Sequence, residues 1–69
     1  MKIELDEEAN CAYIYVQDKI RAGEVKRTRK LNGEVIVDFG ANNKLLGIEV
    51  LNAEKYLSRQ TIKASVKAK

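Results

Sequence analysis

Apolar side chains recur at every second position through most of the first three quarters of the chain. Ile3 and Leu5 alternate with Lys2 and Glu4. Ala12, Ile14 and Val16 form one face of a run whose other face carries Cys11, Tyr13 and Tyr15. Val35, Val37 and Phe39 alternate with Glu34, Ile36 and Asp38, and Leu46, Ile48 and Val50 alternate with Leu45, Gly47 and Glu49. A repeat of two is that of a β-strand, whose successive side chains point to opposite faces. A third strand, Glu24 to Leu31, is expected between the second and fourth runs, its alternation muddied by charge. The run from Cys11 to Gln17 is partly apolar on both faces. It reads as a central strand, or as one whose second face is covered by a helix or a partner subunit.

The punctuation between runs sets the connections. Asp6 to Asn10 supply turn residues, Asp18 to Gly23 read as a loop, and Asn32-Gly33 is a short-range hairpin signal because both types accept positive φ. Gly40 to Lys44 form another turn, with Asn43 expected in the left-handed region. Gly47 in mid-strand marks a bulge or a close approach by a neighbour. Asn52 fits a helix N-cap ahead of Ala53, Glu54 and Lys55, with Tyr56 and Leu57 on one side. Beyond Ser58, Ile62, Ala64 and Val66 alternate with Lys63, Ser65 and Lys67, which suits an edge strand or a frayed tail. The expected fold is α+β: a five-stranded antiparallel sheet, a hairpin plus a meander, with one short C-terminal helix from about Ala53 packed on one face. Residues 1–58 would form the single domain and 59–69 a basic tail.

Size and composition narrow the function classes. A chain of 69 residues buries only about 60% of its extended surface, so stability is marginal unless something adds to it. One cysteine and no histidine exclude an internal disulfide and any ordinary zinc cage. They also remove the commonest general base and every Ser-His or Cys-His nucleophile pair. Oligomerisation is the remaining support, and a homodimer is expected. No apolar run approaches the roughly 20 residues of a membrane helix, and the opening Met1 to Glu8 is acidic where a secretory signal is basic and then apolar. A cytoplasmic location without membrane contact is therefore expected, and the lone Cys11 suits a reducing compartment.

The net charge of +3 hides a block pattern. Residues 1–18 carry −4, residues 19–30 carry +5, residues 31–54 carry −3 and residues 55–69 carry +5. Alternating blocks of this kind can pair within a fold, pair between subunits or offer a basic surface to an acidic partner.

Three segments in order resemble a family of small bacterial and archaeal proteins, the domain of unknown function 2283. Met1 to Ile14 is similar to the family opening M-K-I-x-Y-D-x-E-A-D-A-L-Y-I. Gly33 to Phe39 and Leu46 to Ala53 resemble G-x-V-I-V-D-Y and V-G-I-E-I-L-D-A. The likeness spans roughly residues 1–57. Here Asn10 and Asn52 stand where the family has acids, Asn43 where it has a turn glycine, and Lys26 to Lys30 are basic where relatives are often acidic. The resemblance implies no established activity. It does imply similarity to partners in small two-gene toxin and antitoxin-like arrangements, and so a protein partner encoded nearby.

Four constellations carry candidate chemistry. Asp38 and Glu49 fall on one face of adjacent strands, as a carboxylate pair for acid-base work or a hard cation would; pairing with Lys and Arg from the third strand or the tail is the favoured alternative. Asp6, Glu7 and Glu8 lack a ligand loop and read as solvated. Cys11 has no activating neighbour in sequence and reads as an inert, half-buried thiol. Tyr13 and Tyr15 share a face and can stack bases while Lys26, Arg27, Arg29 and Lys30 hold phosphates; alternatively the rings cover the sheet under the helix or sit in a dimer interface. The carboxylates and modest net charge favour the second account, so any nucleic-acid binding should be weak. The reading is thus a non-enzymatic protein-interaction module that self-associates, with no cofactor and no metal. Tyr13, Tyr15, Lys26, Arg27, Arg29 and Lys30 form its candidate surface, and Asp38 with Glu49 is a minor candidate site.

Overall fold

A computed structural model of the chain describes residues 1–67. The strands are β1 (Lys2–Asp6), β2 (Cys11–Tyr15), β3 (Arg27–Lys30), β4 (Val35–Phe39), β5 (Leu45–Leu51) and β6 (Val66–Lys67), with short helices α1 (Ala53–Tyr56) and α2 (Arg59–Ala64) between the last two. They form one sheet in the order β3-β4-β5-β2-β1-β6. The five expected strands are present, and all four pairings among them are antiparallel. The sheet nevertheless has six strands and is mixed, because β6 pairs parallel to β1 through Glu4↔Val66 and Leu5↔Lys67.

The single expected helix is two. α1 is one turn long and stops at Leu57, whose backbone is extended. Ser58 then starts α2, its Oγ accepting the Thr61 N–H at 3.1 Å, the usual N-cap arrangement. Ile62, which by period two suits a strand, lies on α2 and packs with Leu57 against the core. The segment after Ser58 thus supplies both a core side chain and the edge strand β6. Residues 68 and 69 of the expected tail lie outside the described residues.

The core occupies one face only. Ladder register places Leu5, Ala12 and Val50 side by side on β1, β2 and β5, and Ala53, fully buried, seats α1 on them. One residue pair along, Ile3, Ile14, Ile48 and Val37 form a second aliphatic row across four strands. The helices cover the first row more fully than the second, whose three isoleucines stay half-buried.

Asparagine does much of the turning. Asn10, Asn42, Asn43 and Asn52 all hold φ between 54° and 61°, the left-handed region that asparagine enters more readily than other non-glycine residues. Asn43 is left-handed as expected. The Asn32-Gly33 hairpin forms without positive φ at either residue; instead Asn32 Oδ1 accepts the N–H groups of Glu34 and Val35 at 2.7 and 2.9 Å. Asn52 stands at the N-cap position of α1 but is left-handed and caps nothing with its side chain. That work falls to Asn10, whose carbonyl accepts the Ala53 N–H at 2.7 Å and whose Oδ1 accepts the Glu54 N–H at 3.1 Å. Asn10 Nδ2 also donates to Asn52 Oδ1 at 2.9 Å. The β1–β2 turn therefore holds the start of the helix that covers the core.

Candidate functional site

The face opposite the helices is where Tyr13 and Tyr15 stand, so the rings do not cover the sheet beneath a helix. Register gathers Glu4, Tyr13, Tyr15, Gly47, Glu49 and Asp38 on this face. The Tyr13 hydroxyl donates to Asp38 Oδ2 at 2.7 Å and the Tyr15 hydroxyl to Glu4 Oε1 at 3.1 Å. The two rings meet edge to face, their centroids 4.8 Å apart.

Tyr13 on β2 reaches Asp38 on β4 by crossing the intervening strand β5. Gly47 lies opposite both Tyr15 and Asp38 in the two ladders, and a Cβ there would overlap the Tyr13 hydroxyl and ring. The glycine thus makes the close approach expected of it. A register shift in the β4–β5 ladder lies nearby, between Asp38 and Phe39.

Asp38 and Glu49 do share a face, as expected, set diagonally across β4 and β5. Asp38 is committed elsewhere: Oδ1 accepts the Thr28 hydroxyl at 2.8 Å while Oδ2 accepts Tyr13. Neither carboxylate pairs with a Lys or Arg side chain among the described residues, and no three His, Cys, Asp or Glu groups there come together as metal ligands. Cys11 Sγ approaches only the Ala9 carbonyl, at 3.4 Å, and is half-exposed.

Burial, and then the Asp38 hydrogen bond and charge, raise the pKa of the Tyr13 phenol well above its usual value; burial and Glu4 raise that of Tyr15. A phenol that holds its proton more tightly when folded contributes stability in full below the unfolded value of about 10, and that contribution is lost as pH rises toward the folded value. Above about pH 10 the unfolded chain binds fewer protons than the folded one, so stability is expected to fall there. Urea unfolding followed across the alkaline range should show the decline, and Tyr13→Phe should make it shallower. An unchanged slope in Tyr13→Phe would contradict the assignment.

The basic candidates lie apart from the tyrosines. β3 is three strand positions from β2, about 14 Å at the usual spacing. Arg27 and Arg29 pair with Phe39 and Val37 and point to the helix-bearing side, while Thr28 and Lys30 share the tyrosine side. Arg27 stacks over the Phe39 ring, 4.8 Å from its centroid, and its Nη1 donates to Asn43 Oδ1 at 2.7 Å. Tyrosines hydrogen-bonded to carboxylates, and separated from the cations by β4 and β5, do not form the expected platform of stacked bases beside bound phosphates.

Two features escaped the sequence reading. Glu34, just after the Asn32-Gly33 turn, accepts the Tyr56 hydroxyl at 2.7 Å and the Lys55 ammonium at 3.3 Å, tying α1 to the start of β4. These donors, Tyr56 first, lower the Glu34 pKa. An open groove of about 400 Å³ lies between the β2–β3 connection and the Gly40–Lys44 turn, lined in part by Arg21, Glu24, Lys26, Lys44 and Leu46. Glu24 is occupied there, accepting from Gln17 Nε2 and the Arg21 backbone N–H. No helix among the described residues is long and apolar enough to cross a membrane.

The family described as protein of unknown function (DUF2283) matches residues 2–54. No curated protein and no solved structure matches the chain.

Proposed function

Because the chain belongs to the DUF2283 family of proteins of unknown function, which assigns no reaction, we propose from its surfaces that it is a non-enzymatic protein-interaction module that self-associates as a homodimer. The observation that carries this reading is the aliphatic row Ile3–Ile14–Ile48–Val37, which runs across four strands with its three isoleucines half-buried. Val16, 37% exposed, extends the apolar surface beyond it. These isoleucines pack against the core, and the part of them that stays exposed in mid-sheet is surface that a second copy can remove from water, at about 25 cal/mol for each Å².

The chain exposes 5090 Å², more than the roughly 4,400 Å² of a compact monomer of its mass, and a standard interface takes roughly 800 Å² from each partner. An isologous contact, the same patch on both copies, closes on itself and leaves no open patch to propagate. An antitoxin-like partnership with a protein encoded nearby belongs to the same reading and rests on the family resemblance.

Mass action supplies the test. A homodimer's melting temperature rises with protein concentration, because association stabilises only the folded chain. Wild type is expected to show that dependence and Ile14→Glu to lose it, while Tyr13→Phe, on the opposite face, keeps it. A melting temperature independent of concentration in the wild type would reject self-association.

A further inference from the structure

From the open edge of the sheet we propose that β3 receives an extended, acidic segment of a partner protein as an added antiparallel strand. β3 pairs only with β4 and forms one edge of the sheet. The Leu31 N–H donates to the Val35 carbonyl at 2.8 Å, which sets the phase of the ladder. In an antiparallel pair the backbone groups of alternate residues point to the partner strand, so those of Arg29 and Leu31 face β4. The N–H and C=O groups of Thr28 and Lys30 face outward, and these four groups are the template for a further strand.

Charge selects the occupant. Lys26, Arg27, Arg29 and Lys30 are all exposed, and none of them pairs with a carboxylate among the described residues. Of their expected partners, Asp38 is taken by Tyr13 and Thr28 and Glu49 pairs with none of them among the described residues, while Arg27 is held by Phe39 and Asn43. Basic residues on an edge strand oppose pairing with a second β3, since like charges would then face one another across the new ladder. An acidic strand meets them with the opposite sign. Leu31, next after the strand and 72% exposed, and Val25, two residues before it and 38% exposed, add apolar contacts for a segment that alternates acidic and aliphatic residues. Nucleic acid is the poorer occupant, because the ring beside these cations, Phe39, is half-buried and already stacked by Arg27.

This inference rests on the interaction-module reading but not on self-association, so the two tests can fail separately. The probe is a labelled peptide of alternating valine and glutamate, titrated into the full chain with fluorescence anisotropy as the readout. Three comparisons accompany it: the lysine-for-glutamate peptide, the glutamate peptide N-methylated at alternate amides, and a single-stranded oligonucleotide. Saturable binding of the glutamate peptide is expected, with none for the lysine peptide and several-fold weaker binding by Arg29→Glu. N-methylation keeps every charge but removes the ladder donors, and should weaken binding about tenfold or more. Equal binding of the methylated peptide, tighter binding of the oligonucleotide, or no saturable binding of the glutamate peptide would each overturn the proposal.

Discussion

Leu5→Ala is expected to cost about 2–5 kcal/mol, the range for emptying a buried leucine site. Leu5 is 5% exposed. It sits where four elements meet: its ladder partners are Ala12 on β2 and Lys67 on β6, and it belongs to the cluster capped by Ala53. Ala12 and Ala53 have no longer side chain with which to fill the space left behind. At roughly 0.05–0.15 kcal/mol per residue the whole chain holds only about 3–10 kcal/mol, so much of its stability would go. The urea midpoint should fall steeply without a change in slope. A loss below about 0.5 kcal/mol, the range of ordinary surface substitutions, would place Leu5 outside the core.

Gly47→Ala is expected to cost about 1–3 kcal/mol, as overpacking does, even though alanine replaces glycine in a strand. The added Cβ would occupy the path of the Tyr13 phenol, so the ring must leave Asp38 and the 2.7 Å hydrogen bond is lost. The origin of the cost is checked by repeating the substitution in Tyr13→Ala. With the phenol gone, Gly47→Ala should become close to neutral, and the difference between the two backgrounds measures the coupling of the two sites. The same cost in both backgrounds would show that β5 itself rejects a side chain at this position.

The strands of this protein were legible because period two is a local property. Ala12, Ile14, Val35, Val37, Ile48 and Val50 lie on the helix-bearing side of the sheet as their alternation indicates, and Gly47, read as a bulge or a close approach, makes the close approach. The end of the chain was less so. Ile62, Ala64 and Val66 alternate like a strand, yet Ser58 with Thr61 three residues on is an N-cap pattern, and the tertiary contact of Ile62 with the core favours the helix. Val66 and Lys67 then pair with β1 in a parallel ladder that no local pattern encodes. Side-chain function at asparagine was also hidden. Asn52 carries the composition of an N-cap, but Asn10, 42 positions earlier, makes the bond, because the β1–β2 turn delivers its carbonyl and amide to the helix start together.

The candidate surface divided along the same line. Alternation put Tyr13 with Tyr15, and alternation together with the expected pairing of adjacent strands put Asp38 with Glu49; both groupings hold in the ladders. Strand order is a long-range property, and it separates the tyrosines from the basic strand by β4 and β5. What looked in one dimension like aromatic rings beside a basic strand is in three dimensions a hydrogen-bonded face, acidic but for Lys2 over the Tyr15 ring, and a distant basic edge.

Self-association through the isoleucine row is tested most directly by sedimentation equilibrium across the micromolar range. The wild type is predicted to approach twice the chain mass of 7.8 kDa as concentration rises, and Ile14→Glu to stay at the mass of one chain throughout. A wild-type mass of one chain over the whole range, or an Ile14→Glu variant that dimerises as readily as the wild type, would contradict it.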